Sequence, residues 1–266
     1  MHSLTSVIEN TRPQPGELAI FWLAQAGFAF KTASGVVVCI DPYLSDVVEK
    51  AFGFKRMMAC PIAAEDVPAD LVICTHEHLD HMDSEALPIL AKCPRTRFAG
   101  PAECVKGFEK AGISPERRVL LTPDSEINLT GVRIFSVYAD HGDLAPDAIG
   151  VVLDFDGIRV YHTGDTAYRP ERLRKAIELS PDVLLPCING RYGNMDAEEA
   201  ALLTRDVSPQ LAIPAHFWMF VEHGGDPAAF IEHSARHAPK VKAVVMKPGE
   251  MLLFRKPNHG LRCCSG

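Results

Sequence analysis

The sequence predicts a mixed α/β domain. Short apolar runs of strand length alternate with segments of helical period, and turns that contain glycine separate many of them. The chain has 266 residues, of which 47% are apolar and 23% are charged, a composition typical of a globular protein with a sizeable core. One large domain is sufficient at this length. We therefore assign one domain to residues 17–256, with an N-terminal tail at residues 1–16 and a C-terminal tail at residues 257–266.

The first part of the chain is rich in strands. Apolar runs predict a meander of three strands, at residues 18–23, 28–31 and 36–40. The following stretch, residues 44–68, is the least regular, and its apolar side chains fit a lid over a substrate pocket as well as a surface connection. A further strand is predicted at residues 71–74, and a short helix at residues 84–92 that Ser84 could cap.

From Arg97 onward, strands and helices alternate, and two hairpins interrupt the rhythm. Helices are predicted at residues 102–111, 170–178, 197–205 and 227–237. Hairpins are predicted at residues 128–137 and 149–162, with further strands near Phe98 and at residues 119–121, 183–186, 211–213, 241–245 and 251–254.

Charge and composition restrict the partners. The net charge is −7 and no long basic run offsets it, which argues against a nucleic-acid partner. Neither a secretory signal pattern nor an apolar run long enough to cross a membrane is visible, so we expect a cytoplasmic protein with no membrane partner. We also expect homo-oligomers. The eight cysteines form no Cys-x-x-Cys pair, and reduced core thiols are expected.

Directly after the predicted strand at residues 71–74, one turn carries a dense set of metal-binding side chains, namely His76, His78, Asp80 and His81. Imidazole and carboxylate groups at adjacent and alternating positions can direct ligand atoms toward a common point, which a solvated polar loop does not need. The pattern therefore predicts a metal site at the end of a strand. Thr75 and Asp83 could orient these ligands, or they could serve the turn and the helix start.

Three further candidate ligands follow downstream, namely His141, Asp165 and His216. Taken singly, each has another interpretation: a surface loop histidine at 141, a turn carboxylate at 165 and a core histidine at 216. Taken together with the first motif and in this order, they resemble the signature of the metallo-β-lactamase superfamily, whose members are mostly metal-dependent hydrolases.

The resemblance implies a four-layer αββα sandwich and a site for one or two divalent cations. In the superfamily pattern one metal is held by His76, His78 and His141, a second is held by Asp80, His81 and His216, and Asp165 bridges the two. Nitrogen and oxygen ligands without thiolates suit Mn²⁺, Zn²⁺ or Fe²⁺. Two such cations lower the pKa of a shared water to roughly 7, so a hydroxide can attack at neutral pH. The implied reaction is hydrolysis, with Asp80 or Asp165 as a catalytic proton-transfer group.

Four stretches narrow the resemblance to the L-ascorbate-6-phosphate lactonase family, at residues 21–27, 75–83, 161–166 and 213–220. This resemblance runs from about residue 17 to residue 256, and it implies a cytoplasmic enzyme that opens a sugar-acid lactone with a divalent metal, often manganese. The chain is more compact than enzymes of that family, so the substrate is a small molecule with or without a phosphate group. The alternative functions are phosphodiester hydrolysis and metal binding without turnover.

Substrate contacts are expected on the loops that follow ligand-bearing strands. Arg191 and Asn194 lie in a polar, Gly-containing stretch, where Arg191 could bind a phosphate or carboxylate as a charge-assisted pair. The alternative is a solvated turn between strand and helix. Trp218 follows His216 in a segment more apolar than an exposed loop requires, so we expect it to line the pocket or to pack beneath it.

Overall fold

Two seven-stranded sheets make up the centre of the computed structural model, which describes residues 3–256. In chain order the strands are β1 (Glu17–Trp22), β2 (Phe28–Lys31), β3 (Val37–Ile40), β4 (Leu71–Ile73), β5 (Arg97–Gly100), β6 (Arg118–Leu120), β7 (Glu126–Leu129), β8 (Val132–Tyr138), β9 (Ile149–Phe155), β10 (Ile158–His162), β11 (Val183–Leu185), β12 (Leu211–Ala212), β13 (Lys242–Ala243) and β14 (Met251–Arg255). The first sheet has the order β14-β1-β2-β3-β4-β5-β6 and the second β13-β12-β11-β10-β9-β8-β7.

Within residues 3–256, seven α-helices accompany the sheets, namely α1 (Leu4–Asn10), α2 (Val47–Phe52), α3 (Leu87–Leu90), α4 (Ala102–Lys110), α5 (Pro170–Glu178), α6 (Ala197–Val207) and α7 (Pro227–His237). Apolar residues of α1, α3 and α4 share a core with alternate side chains of the first sheet, such as Phe21 and Phe98. Apolar residues of α5, α6 and α7 join the core that contains the second sheet and the inner face of the first. The predicted αββα sandwich is therefore confirmed.

The two sheets differ from a simple meander in their parallel parts. Strands β3 to β6 run parallel in the first sheet, and strands β10 to β13 run parallel in the second. In the second sheet α5, α6 and α7 connect the parallel strands, which is the usual connection between such strands. The carboxyl ends of parallel strands lie at the same edge of a sheet, and that edge carries the site described below.

Most predicted elements are observed, including both hairpins with their turns at Thr130-Gly131 and Asp156-Gly157. The predicted helix at residues 84–92 is shorter than expected, since α3 covers only Leu87–Leu90. Asp83, rather than Ser84, accepts the backbone N–H groups of Glu85 and Ala86. Among the described residues, no helix has both the length and the apolar character needed to cross a bilayer.

The segment interpreted as an N-terminal tail contains structure that the sequence analysis did not predict. Residues 4–10 form α1, Ser3 caps it, and Ile8 is buried against the outer face of the first sheet. The Lys31 ammonium group donates hydrogen bonds to the carbonyl oxygens of Ile8 and Glu9. The segment therefore packs on the domain. The predicted C-terminal tail and its two cysteines lie outside the described residues, and six free cysteines are found within them.

Candidate metal centre

The candidate ligands come from the ends of four strands. Strand β4 leads into the turn with His76, His78, Asp80 and His81; β8 leads to His141, β10 to Asp165 and β12 to His216. The first of these strands belongs to one sheet and the other three belong to the second sheet. The site therefore lies where the two sheets meet, and it combines residues that are far apart in the chain.

One group of ring nitrogens belongs to His76, His78 and His141, whose nitrogens lie within 4.8 Å of one another. His76 Nε2 lies 3.0 Å from His78 Nδ1. The opposite nitrogens of these two rings have other partners, since His76 Nδ1 contacts the Thr75 hydroxyl at 3.1 Å and His78 Nε2 contacts the carbonyl oxygen of Leu144 at 3.2 Å. The facing nitrogens can therefore bind one cation while the outer nitrogens hold the rings in place.

A second group surrounds His81 and His216, whose Nε2 atoms are 3.2 Å apart. His216 Nε2 lies 3.3 Å from an oxygen of Asp80 and 3.3 Å from an oxygen of Asp165. Asp165 also approaches His81 Nε2 at 3.3 Å and His141 Nε2 at 3.9 Å. Asp165 therefore lies between the two groups, in the position expected of a bridging carboxylate.

Asp41 and Thr75 hold the histidine turn from behind. One carboxylate oxygen of Asp41 accepts hydrogen bonds from His81 Nδ1 at 2.8 Å and from the Thr75 hydroxyl at 2.7 Å, and the other accepts from the Thr75 N–H at 2.7 Å. These contacts leave His81 Nε2 directed at the centre. Asp83, by contrast, binds backbone N–H groups of the neighbouring loop and makes no contact of this kind with the histidines. Thr75 therefore orients ligands, and Asp83 serves the turn.

Gln25 is a positioning residue that the sequence analysis missed. It is fully buried, and its Nε2 donates to Asp80 at 2.7 Å and lies 3.2 Å from His216 Nε2. Its carbonyl oxygen accepts the His216 N–H at 3.0 Å. Gln25, Asp41 and His216 all have left-handed backbone conformations, with φ of 52°, 46° and 61°. Such strain is unusual outside glycine and is often concentrated at functional sites.

The turn before Asp165 has room for glycine only. Gly164 has φ of +61°, and a Cβ atom there would lie 2.7 Å from the carbonyl oxygen of Ile149. Asn194, predicted as a substrate contact, is buried, and its Nδ2 donates to an oxygen of Asp165 at 2.6 Å. Asn194 therefore touches the Asp165 carboxylate and can hold it in its orientation.

The residues fit a divalent cation. Both nitrogens of His141 are buried without a hydrogen-bond partner, which is costly for an imidazole unless it has a ligand to bind. Burial also lowers the pKa of His76 well below its usual value and lowers that of His141, so both rings favour the neutral, ligating form. Burial alone would raise the pKa of the Asp165 carboxyl, but His216 and His81 hold it well below its usual range. Neutral imidazoles and ionised carboxylates suit Mn²⁺, Fe²⁺ or Zn²⁺.

A comparison with protein-family models decides the family. The model described as a β-lactamase superfamily domain matches residues 19–216, which include all the candidate ligands. The chain belongs to this superfamily.

Relatives within the superfamily are moderately similar over nearly their whole length. A UPF0173 metal-dependent hydrolase from Polynucleobacter asymbioticus is 26% identical, with 90% of this chain and 87% of the relative covered. The structure of Igni18, a metallo hydrolase from the archaeon Ignicoccus hospitalis, is 26% identical with a TM-score of 0.74, covering 90% of this chain and 99% of that chain. An isothiocyanate hydrolase from Delia radicum gut bacteria shares the fold, at 20% identity and a TM-score of 0.72, covering 89% of this chain and 99% of that chain.

The superfamily site opens into a cavity of about 490 Å³. Its floor carries the candidate ligands His78, Asp80, His141, Asp165 and His216, and its walls are largely apolar, formed by Val48, Phe52, Phe54, Leu79, Leu144 and Tyr192 with Glu77 and His223. Three of the wall residues, Val48, Phe52 and Phe54, are on or next to α2, in the irregular segment at residues 44–68. At least this part of the segment borders the cavity, as the lid interpretation expected.

His223 is a second residue whose role the sequence did not reveal. Its ring stacks on His216 with centroids 5.1 Å apart, and it has a nitrogen within 4.8 Å of ligand atoms of Asp80 and His216. Burial lowers its pKa to about 4, so it is neutral at pH 7. This histidine lines the cavity beside the candidate ligands.

The other predicted substrate contacts lie outside the cavity lining. Arg191 is exposed, while its neighbour Tyr192 reaches the cavity wall. Trp218 is 52% exposed and packs edge-on against Phe217, whose ring in turn stacks on Trp22. Phe217, Met219 and Phe220 are the buried members of the apolar segment after His216, and Trp218 is the exposed one.

Proposed function

We propose that this chain is a metal-dependent hydrolase that opens a lactone or a related ester of a small neutral molecule. One observation carries the proposal: seven metal-binding side chains from both sheets converge, and five of them form the floor of a cavity whose walls are largely apolar. A site for metal binding alone needs the ligands but not the cavity. The cavity, at about 490 Å³, is in the range of small-molecule sites.

The ligand set suits hydrolysis. Cations bound here would supply a nucleophilic water at neutral pH and would polarise the carbonyl group that it attacks. Asp80 and Asp165 line the cavity, and Asp80 is tied to Gln25 through one oxygen. Their carboxylates can take the proton of the attacking water and return it to the leaving oxygen as the carbon–oxygen bond breaks. Gln25, Asp41 and Asn194 hold the reacting groups in place.

The cavity walls favour a neutral substrate. Among the described residues that line the cavity there is no lysine or arginine. A phosphate of the substrate would therefore have no side-chain cation beside it, apart from the bound metal. The absence of lysine and arginine from the lining also argues against a phosphodiester or a nucleic acid as the substrate. The absence of a side-chain cation is our reason for proposing a substrate without phosphate. The lactone chemistry itself was suggested by the resemblance to the ascorbate-6-phosphate lactonases.

The test is a substrate panel on protein stripped of metal and reloaded with Mn²⁺ or Zn²⁺. We expect metal-dependent turnover of a neutral alkyl lactone, and slower turnover of L-ascorbate 6-phosphate. Turnover of bis(p-nitrophenyl) phosphate alone would overturn the ester assignment in favour of the phosphodiesterase. Isothiocyanates are the substrate type named for the gut-bacterial relative. Turnover of an isothiocyanate alone would overturn the ester assignment in favour of that substrate class.

The double variant His76→Ala with His78→Ala tests the metal requirement. It removes two ligands from one loop, and we expect loss of metal from this centre and loss of turnover. Circular dichroism should show that the fold is retained. Glu232→Gln, a substitution on the exposed side of α7, is the control and should retain wild-type turnover. Undiminished lactone hydrolysis by the double variant would rule out the metal-dependent mechanism.

A further inference from the structure

A second set of metal-ligating side chains lies on the outer helices, apart from the catalytic cavity. Glu198 is in the first turn of α6, and His233 and His237 are on α7. Their ligand atoms all lie within 4.8 Å of one another. None of the three lines the cavity above the candidate metal centre.

The spacing of the two histidines places both on one face of α7. Residues four apart in a helix are neighbours on its surface, and the two rings are nearly parallel, with an interplanar angle of 6° and centroids 6.1 Å apart. One oxygen of Glu198 lies 3.3 Å from His237 Nε2 and 3.8 Å from His233 Nδ1. Ligand atoms of a tetrahedral zinc with bonds of about 2.0–2.1 Å are separated by roughly 3.3–3.4 Å. The distance from Glu198 to His237 has this value, the distance from Glu198 to His233 is longer, and all three ligand atoms lie within 4.8 Å of one another.

The helices hold the backbone of the three residues in place before any ion binds. Asp196 caps α6 in a capping box with Glu199, which fixes the turn that carries Glu198. Asp226 caps α7 by accepting the N–H groups of Ala228 and Ala229. Both helices pack on the second sheet, so binding an ion would require little movement of the backbone.

An ion pair between Glu198 and protonated histidines is the simpler explanation of this cluster. It accounts for the contact with His237, but His233 Nδ1 is buried and has no hydrogen-bond partner. A cation accounts for both, since it binds the lone pairs of two neutral imidazoles and one carboxylate oxygen. We propose that Glu198, His233 and His237 bind a divalent transition-metal ion, with Zn²⁺ as the representative, and thereby link α6 to α7. Two histidines and one glutamate, with water in the open position, are a known zinc ligand set.

The experiment measures Zn²⁺ stoichiometry by equilibrium dialysis, with the full chain, followed by thermal unfolding with and without Zn²⁺. We expect the wild type to bind one equivalent more than His233→Ala with His237→Ala, and to gain a larger increase in melting temperature from Zn²⁺. Because the catalytic centre is present in both proteins, its zinc cancels in the comparison. Circular dichroism without added metal checks that the double variant is folded.

A matched pair of carboxylate variants tests the third ligand. Glu198→Gln should weaken binding of the extra equivalent about tenfold or more, whereas Glu232→Gln on the same surface of the molecule should leave it unchanged. Equal zinc stoichiometry in the wild type and the double histidine variant would overturn the site. Equal zinc affinity in the two glutamate variants would also overturn the site, because that result would mean that the histidine pair binds zinc without Glu198.

Discussion

Asp41 shows how a residue without direct access to the cavity can control the metal centre. It is fully buried, and it joins His81 to the strand end through Thr75. For Asp41→Asn we expect metal affinity to fall about 10–100-fold, because the amide places a donor group where Asp41 accepts three hydrogen bonds. Competition with a chelator of known affinity measures the change.

Asp83→Asn is the matched control for that prediction. Its carboxylate accepts hydrogen bonds from the backbone N–H groups of Leu44, Ser45 and Ala86, and from the Ser45 hydroxyl. We expect the free energy of unfolding to fall by about 1–3 kcal/mol, with metal affinity close to wild type, since a buried acceptor is lost but no ligand loses its partner. Equal losses of metal affinity in the two variants would contradict the separate roles given to Asp41 and Asp83.

At the residue scale, the sequence could reveal ligands but not the residues that support them. His76 and Asp165 are recognisable because metal chemistry limits the side chains that can occupy those positions, and the order of the motifs adds to that limit. Gln25 and His223 are ordinary in sequence. Gln25 reaches the site through long-range contacts and a backbone conformation with positive φ, and His223 reaches it by stacking on His216. No local sequence pattern encodes either contact.

Among the elements, α1 contributes through a single buried side chain. Ile8 is 1% exposed and packs against the first sheet, and the carbonyl oxygens of Ile8 and Glu9 bind the Lys31 ammonium group. Ile8→Ala should reduce the free energy of unfolding by about 2–4 kcal/mol in denaturant titrations. Val7→Ala on the same helix, at a partly exposed position, is the control with a smaller expected loss. Equal losses of unfolding free energy in the two variants would mean that the Ile8 contact is not what holds α1 on the sheet.

Helix α2 is expected to affect substrate choice rather than stability. Phe52 lines the cavity but is 63% exposed, so Phe52→Ala should change the free energy of unfolding by less than about 1 kcal/mol. A lost apolar contact of about 1.4 kcal/mol corresponds to a tenfold weaker interaction, so KM for an alkyl lactone should rise about tenfold. Met57→Ala, an exposed position outside the lining, should leave KM unchanged. An unchanged KM in Phe52→Ala would remove α2 from the substrate site.

Elements with strong local signals were predictable, and elements stabilised mainly by tertiary contacts were not. The hairpin that turns at Asp156-Gly157 was predicted because apolar strand residues flank a turn sequence that favours positive φ. Helices α1 and α2 have seven and six residues, too few for a clear apolar period. They form because they pack on the sheets and the loops around the site.

At the scale of the whole molecule, the candidate metal centre lies between the two sheets. The turn after β4 brings ligands from the first sheet, while His141, Asp165 and His216 come from the second. Neither sheet has a complete set on its own. Sequence order could not show this, because β14 closes the first sheet by pairing with β1 at the opposite end of the chain.

Metal binding should therefore stabilise the whole fold and not only the loops that carry the ligands. At free metal about 1,000-fold above its dissociation constant, the expected gain is about 4 kcal/mol, and each kcal/mol corresponds to roughly 2–4 °C in melting temperature at about this chain length. Calorimetry of metal-free and reloaded protein measures this increase in melting temperature. Both samples carry His233→Ala and His237→Ala, so that metal binding at the outer helices does not add to the increase. His76→Ala with His78→Ala in that background should lose most of the increase. An equal increase with and without His76 and His78 would show that the two sheets are not joined through this centre.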